Sequence, residues 1–543
     1  MNAKALAFAL SAVTLTATAD DKIYTVNDDT TGPIDLVAEG CVTDRIQFGT
    51  KAENKVKHAV IGATGTSENP FTVVGNYSGY VWESSGLLNL HFNVHMDRPE
   101  ATVFLRNATG GGGNYYASDT KSLSVTRGTL RLSDLYLNLA GRERCVITVG
   151  PDSTLHTYRI EPQTNSQVNV VNGGKLITSL MNISSCLPDQ PAVLNISNAT
   201  VQVTELTCQL ANGAPNVVTA DVACKVILDE EGVLRTPSVD HYRGPKTEIA
   251  FKGGKLVADR SLAILSSGVD YRIRPYFFNQ AGSGPVSLNA ESGPIVLDIP
   301  PCEYLPDGYK FMNDIRDKPE EPKWQGPMYL TGDQGFVKRG AGTLTMNKGE
   351  TGSIFMQVTG GVRVEGGVLR RTSAYSFDRA NALTVAEGAA YDLNGCATTF
   401  ASLHGTGAVV SSGEAATLTI TDAAASTFGG RLGGNVTLDT ADGARLAFSH
   451  LSVDGSDLGA TIKHFKLAAD GVLDLTLPKG MTVRDFVGQS EVPLLSVADI
   501  EGEGNLESWT VKINGKVVRS ASLCIERGAL CLRKVPGLIM LFK

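Results

Sequence analysis

The feature that most constrains the fold of this chain is a short unit in which a glycine or another turn-forming residue stands just before a leucine. Its clearest copies end at Leu130, Leu176, Leu234, Leu256, Leu369, Leu473 and Leu530. Looser copies complete a series at positions 130, 155, 176, 201, 234 and 256, with steps of 25, 21, 25, 33 and 22 residues. A period of roughly 20 to 30 residues is typical of solenoids, in which each repeat buries its apolar face only against its neighbours.

Two solenoid classes have this period, the leucine-rich repeat and the parallel β-helix. The L-x-x-L-x-L pattern followed by Asn or Cys, which leucine-rich repeats require, does not recur here. Between the turns lie runs rich in Val, Thr, Ile and Leu that alternate with a period of two, such as 168–171, 201–204 and 417–420. The sequence therefore predicts an all-β fold, a parallel β-helix in which many of the 58 glycines form the corners between strands.

A proline-rich stretch divides the repeats into two sections. Prolines stand at 300, 301, 306, 319, 322 and 327, and proline donates no hydrogen bond to a β-ladder. We expect an N-terminal β-solenoid section at 20–299, a connector or surface excursion at 300–330, and a repeat β-helix at 331–480. The alternative is one continuous helix with a long loop at 300–330. Residues 481–543 are expected to form a C-terminal capping unit, with a sorting signal as the alternative.

The N-terminus has the three parts of a secretory signal peptide. Lys4 precedes an apolar run from Ala5 to Ala17, and an Ala-Thr-Ala cleavage site ends at Ala19. We therefore expect residues 1–19 to be removed on export; the alternative is an apolar N-terminal strand. No later stretch is apolar for long enough to form a transmembrane helix. The expected location is extracellular or at the outer cell surface, with the periplasm as the alternative.

Charge and cysteine usage narrow the partners and cofactors. The chain has 48 Lys and Arg against 56 Asp and Glu, so it lacks the basic excess typical of nucleic-acid binding. The nine cysteines form no C-x-x-C pair, which argues against a zinc or thioredoxin-type site. Most are expected to be small buried residues. Cys524 and Cys531, on either side of a predicted turn, are the first candidates for a disulfide.

From Lys338 onward the sequence resembles the autotransporter-associated β-strand repeat, found in passenger domains of bacterial autotransporters and in large exported bacterial proteins. The segments that carry the resemblance cover about 100 of the 543 residues: 338–346, 364–369, 382–389, 391–395, 401–407 and 426–430. The resemblance implies a right-handed parallel β-helix outside the cell that acts as a stalk or adhesive surface. The 66 residues after Leu477 are too few for the translocator barrel of an autotransporter, so we expect a passenger-like β-helix without one.

Two local motifs invite a functional interpretation. His91 and His95 lie four residues apart near Asp97, but the Glu of an H-E-x-x-H zinc motif is missing, so we expect polar residues on a wet strand face and no metal. Four glycines at 110–113 precede Tyr115 and Tyr116. No Lys-Ser/Thr follows them, which favours a flexible turn over a phosphate loop. The two tyrosines are candidate contacts for sugar rings.

These observations favour a structural or adhesive role over catalysis, with no cofactor. The expected partners are surface glycans or host and extracellular-matrix components. The alternative is a carbohydrate-active β-helix, a polysaccharide lyase or glycoside hydrolase, which requires two carboxylates at a defined separation. The acidic pairs in the sequence, such as those at 28–29 and 320–321, lie in turn or linker contexts that are typical of solvated charge.

Overall fold

The computed structural model describes the strand backbones between residues 24 and 139, with side chains from 123 to 132, and the chain from 145 to 535 apart from short gaps. The predicted signal peptide, 1–19, lies outside the described residues. The described chain is nearly all β, and most of its strands belong to one long sheet of parallel strands. The prediction of a β-solenoid is confirmed.

The strands are numbered in chain order. The first part contains β1 (Tyr24–Val26), β2 (Ile46–Phe48), β3 (Lys57–Ile61), β4 (Phe71–Gly75), β5 (Leu90–His95), β6 (Thr102–Asn107), β7 (Gly113–Tyr116) and β8 (Ser122–Leu139). Next come β9 (Val146–Val149), β10 (Ser153–Pro162), β11 (Gln167–Val171), β12 (Lys175–Ser184), β13 (Ala192–Ser197), β14 (Thr200–Gln209), β15 (Val222–Asp229), β16 (Val233–Thr236), β17 (Val239–His241), β18 (Lys246–Lys252), β19 (Lys255–Ala258), β20 (Leu265–Ser266), β21 (Val269–Asp270), β22 (Tyr276–Gln280) and β23 (Val286–Ala290).

The later strands are shorter until the C-terminal part. They are β24 (Ile295–Asp298), β25 (Tyr309–Met312), β26 (Met328–Gly332), β27 (Phe336–Arg339), β28 (Thr343–Met346), β29 (Ile354–Met356), β30 (Val362–Val364), β31 (Val368–Arg371), β32 (Leu383–Val385), β33 (Ala390–Asp392), β34 (Thr398–Phe400), β35 (Leu403–Gly405), β36 (Ala408–Val410), β37 (Ala416–Ile420), β38 (Thr427–Phe428), β39 (Arg431–Leu432) and β40 (Val436–Thr440). The last are β41 (Leu446–Asp454), β42 (Thr461–Thr476), β43 (Glu491–Glu501), β44 (Trp509–Ile513), β45 (Lys516–Val517), β46 (Ala521–Glu526) and β47 (Ala529–Lys534). Two short 3-10 helices are described, Arg260–Leu262 and Glu503–Ser508.

The six equivalent positions derived from the sequence period lie on consecutive strands in direct register. Each is the pairing partner of the next, in the order Leu130, Leu155, Leu176, Val201, Leu234 and Leu256. All six side chains are buried. Burying an aliphatic side chain of this size contributes roughly 1.5–3 kcal/mol, so this column is one of the main supports of the first half.

A second ladder runs through β9, β11, β13, β15, β18 and β23, and its side chains alternate between the interior and solvent. On β11, Val168 and Val170 are buried while Gln167 and Asn169 point outward. The buried column continues through Ile147, Val168, Leu194, Val226, Ile249 and Leu288. The period-two pattern of the sequence thus becomes one apolar interior shared by successive coils, where a coil is one turn of the solenoid.

The corners between the two ladders are formed by residues with positive φ. On successive coils these are Asp152, Asn172, Asn198 and Glu230, with φ between 45° and 53°. The corners also stack, since the backbone N–H of Asn172 donates to the carbonyl of Ser197 at 3.0 Å. Asn and Asp tolerate this left-handed conformation better than other non-glycine residues, so they replace glycine here.

The chain divides into two compact units. The first comprises Met1–Gly293, Ile315–Tyr329 and Thr351–Ser353, and the second comprises Pro294–Asp314, Leu330–Glu350 and Ile354–Lys543. The second unit has its own buried column, formed by Leu344, Leu369, Tyr391, Val409 and Leu432 on consecutive strands. Within the predicted connector, β25 joins this column because Tyr309 pairs with Leu344.

Pairing changes from parallel to antiparallel near the C-terminus. β43 pairs in parallel with β42 on one side and antiparallel with β47 on the other. β44 with β45, and β46 with β47, are antiparallel hairpins.

One local prediction is wrong. Residues 113–116 form strand β7, which pairs in parallel with β8, where the sequence predicts a flexible turn. The aromatic side chains of Tyr115 and Tyr116 favour extended backbone, and the ladder hydrogen bonds to β8 outweigh the flexibility of the preceding glycines.

Candidate functional site

The sequence motifs singled out above lie mostly where only backbone is described. Tyr115 and Tyr116 are on β7, opposite Leu137 and Asn138 of β8, and their side chains lie outside the described residues. His91 and His95 are on β5, and His91 is in register with His58 of β3. Among residues whose side chains are described, no group of His, Cys, Asp or Glu is arranged to hold a metal ion.

The candidate site is the solvent-facing side of six stacked strands in the first unit. We call it the outward face, and it consists of two positions from each of β8, β10, β12, β14, β16 and β19. These positions are Thr129, Arg131, Thr154, His156, Lys175, Ile177, Thr200, Gln202, Val233, Arg235, Lys255 and Val257. The ladder register places them in two parallel columns, with about 4.8 Å between neighbouring strands.

The charged side chains of the outward face are all basic. They are Arg131, Lys175, Arg235 and Lys255, with no Asp or Glu among the twelve positions. The pKa of His156 is lowered by its burial and by the positive charges of Arg131 and Lys175. That shift is the effect expected of a positive local potential, because a second cation disfavours protonation of the imidazole.

One cation of this face is held in place from below. The Arg235 guanidinium forms an ion pair with Asp259, whose side chain is 7% exposed, while the arginine side chain remains 41% exposed. A guanidinium has five N–H donors, and one carboxylate leaves several of them available to solvent. Asp259 therefore cancels much of the charge of Arg235 but fixes the direction of its donors.

A shallow depression of about 420 Å³ opens on the outward face and at the adjoining corners. Its polar lining consists of Lys175, Asn198, Thr200, Gln202, Glu231 and Arg235. Glu231 lies at the corner, outside the ladder positions, and is the carboxylate of this lining. The depression offers ammonium, guanidinium, hydroxyl and amide groups on neighbouring strands, a set that suits hydrogen bonding to a polar ligand.

A second cluster of charges lies in the other unit, around His464 of β42. Its Nε2 is 3.7 Å from Asp439 Oδ1, and its Nδ1 is 3.6 Å from Asp499 Oδ2. Each carboxylate also has a cation: Lys463 is 2.6 Å from Asp439 and Arg445 is 2.9 Å from Asp499. The hydrogen bond and charge of Arg445 lower the pKa of Asp499, which keeps this carboxylate ionised at neutral pH.

The described cysteines are free thiols, namely Cys145, Cys208, Cys224, Cys302, Cys396, Cys524 and Cys531. Cys524 and Cys531, predicted as the first candidates for a disulfide, lie directly opposite each other in the β46–β47 hairpin and are not bridged. Burial raises the pKa of both thiols, which lowers the fraction present as reactive thiolate at neutral pH. Cys41 and Cys186 lie outside the described residues.

Sequence reasoning missed the outward face because its members are 19 to 33 residues apart along the chain, as Lys175 and Arg235 show with Thr200 between them. The signal was present in the repeats: each face residue stands one position before or after the equivalent leucine or valine. Aligning the repeats on these positions brings Arg131, Lys175, Arg235 and Lys255 together.

Among the described residues, no helix has the length and apolar character needed to cross a membrane. Comparison of the chain with protein-family models, with curated proteins and with solved structures gives no match.

Proposed function

We propose that this protein is an exported bacterial β-solenoid with a structural or adhesive role, whose outward strand faces contact extracellular glycans without cleaving them. The observation that carries the proposal is the outward face, where hydroxyl, amide and basic side chains repeat over six stacked strands. Weak contacts repeated along a rigid ladder add up when the ligand is itself a repeating polymer. The resemblance of 338–430 to passenger-domain repeats supports a location outside the cell.

A binding and turnover assay tests this role. The purified mature chain is passed over immobilised polysaccharides, and the same polysaccharides are incubated with it in solution. We expect retention on at least one of them and no release of new reducing ends or unsaturated sugars. Release of such products would overturn the non-catalytic role, and failure to bind any polysaccharide would overturn the glycan-contacting role.

A carbohydrate-active enzyme is the second candidate, and the cluster around His464 is the observation that favours it. Two carboxylates, Asp439 and Asp499, flank one imidazole on adjacent strands. Glycoside cleavage needs one carboxyl group that is protonated near neutral pH, whereas both of these face a cation. If products do appear, the Asp439→Asn/Asp499→Asn variant identifies the source, because only cleavage at this cluster would be abolished by it.

Export has a separate test. When the full chain is expressed in a Gram-negative bacterium, we expect the mature protein to begin at Asp20, as determined by N-terminal sequencing, because the Ala17–Ala19 site precedes it. An Ala19→Asp variant should accumulate with its first 19 residues attached, since the cleavage site requires small residues. An intact N-terminus on the exported wild-type chain would contradict the signal-peptide assignment.

A further inference from the structure

The outward face combines two features that point to the chemistry of its ligand. Its positive charges come without carboxylates at the ladder positions, and they are spaced along the stack. Arg131 is on β8 and Lys175 is on β12, with β10 between them. Two strand spacings separate these two cations, roughly 10 Å.

Neutral hydrogen-bonding groups occupy the strands between and beyond the two cations. Thr154 lies directly between Thr129 and Lys175 in one column, and Thr200 follows Lys175. In the other column His156 follows Arg131 directly, and Gln202 precedes Arg235. A ligand lying along the stack therefore meets a cationic strand and a neutral polar strand in alternation from β8 to β14.

We propose that the outward face binds a linear acidic polysaccharide in which charged and neutral sugars alternate, with Arg131 and Lys175 each facing one acid group. The disaccharide repeat of such a polymer is similar in length to two strand spacings. Thr154 and Thr200 then face hydroxyl groups of the neutral sugars, and Arg235, oriented by Asp259, donates hydrogen bonds at the far end of the depression.

Arg131 and Lys175 carry the electrostatic part of this recognition. Neither forms an ion pair with a carboxylate among the residues whose side chains are described, in contrast to Arg235 with Asp259 and Lys225 with Glu248. A cation without a partner in the protein attracts an anionic ligand without first having to give up an internal ion pair. This inference rests on the proposed glycan-contacting role and specifies its ligand class.

The test uses hyaluronan, which has one carboxylate per disaccharide, and its carboxyl-reduced form, which has the same backbone without charge. We expect the mature full-length chain to bind hyaluronan, to bind the reduced form at least tenfold more weakly, and to lose affinity as salt is raised. The Arg131→Gln/Lys175→Gln variant should lower the affinity for hyaluronan about tenfold, a change that one charge-assisted hydrogen bond is sufficient to cause. The matched control is Lys225→Gln, on the other ladder of the same unit, which should leave binding unchanged.

The outcomes separate the inference from the proposed function. Equal binding of hyaluronan and the reduced polymer, or wild-type affinity in the double variant, would overturn the acidic-ligand inference and leave the glycan-contacting role standing. Binding of neither polymer, or of any other polysaccharide in the panel, would overturn both. Equal retention of duplex DNA with the same dependence on Arg131 and Lys175 would replace a specific polysaccharide by general polyanion binding. Circular dichroism of each variant checks that the β-sheet signal is retained.

Discussion

Replacing Lys338 by methionine is expected to destabilise the second unit by about 3 kcal/mol, because it removes charge-assisted hydrogen bonds worth roughly 1.5–3 kcal/mol each from a buried site. Lys338 is fully buried although it is charged. It occupies an interior position of the ladder, in register with Val364, which is followed by Val385. An apolar side chain would ordinarily be expected there.

The stabilising role of Lys338 follows from its three acceptors. Its Nζ donates to the carbonyl oxygens of Gly340 at 2.6 Å and Gly366 at 2.7 Å, and also to that of Gly342. Burial lowers the pKa of Lys338 to about 8, which still leaves the ammonium largely protonated at neutral pH, with three donors for three acceptors. Because Gly340 and Gly366 belong to corners of successive coils, the ammonium joins one coil to the next.

Hydrogen–deuterium exchange at pH 7 gives the local measurement, since each coil of a solenoid opens with its own free energy. Peptides that cover β27, β28 and β31 should exchange faster in Lys338→Met. The matched control is Arg339→Met, the neighbouring exposed position, whose ion pair with Glu365 should contribute no more than about 1 kcal/mol. Equal protection in the two variants would contradict the role of the buried ammonium.

The second large effect is expected at Gly405, where alanine should cost about 3 kcal/mol through overpacking and an unfavourable φ together. Gly405 is the ladder partner of Val385 and has a φ of +93°. A Cβ atom built on it would overlap the backbone carbonyl oxygen of Val385, well inside the 3.0 Å limit that real Cβ atoms observe. The neighbouring coil is backbone at this point, so no flexible side chain can move aside.

Gly388 provides the control that separates the two contributions. Its φ of +75° is also positive, but a Cβ atom there would meet nothing within 4 Å. Gly388→Ala should therefore cost only the conformational part, about 1–2 kcal/mol. Local exchange of β32, β35 and β36 measures both variants. Similar losses at the two glycines would show that the positive φ, and not the close approach of two coils, accounts for the requirement at Gly405.

The sequence was sufficient to predict the architecture because the interior of a solenoid is repetitive. The positions from 130 to 256 could be aligned on turn residues and apolar character alone, and their strands pair in that register. By the same alternation Lys338, two residues after the buried Phe336, belongs to the interior, although its charge argues for the surface. Only the three carbonyl acceptors, supplied by corners up to 28 residues apart, make that burial acceptable.

The candidate site was harder to predict, for a physical reason. Which outward residues become neighbours depends on the length of every intervening turn, and the steps between repeats vary from 21 to 33 residues. A search for short motifs therefore found the histidines of β5 and the tyrosines of β7, but not Arg131 and Lys175. The strand at Gly113–Tyr116 was missed because its pairing partner, β8, contributes the stability that its own glycine-rich sequence lacks.

The switch to antiparallel pairing at β43 has a consequence for self-association. The last strand of a parallel stack presents unsatisfied N–H and C=O groups that can template a strand of another molecule. Here β47 already occupies that edge of β43, and beyond it lies only the six-residue β46. End-to-end polymerisation into fibres is thereby discouraged at this end of the sheet, which keeps a long solenoid available as a separate molecule.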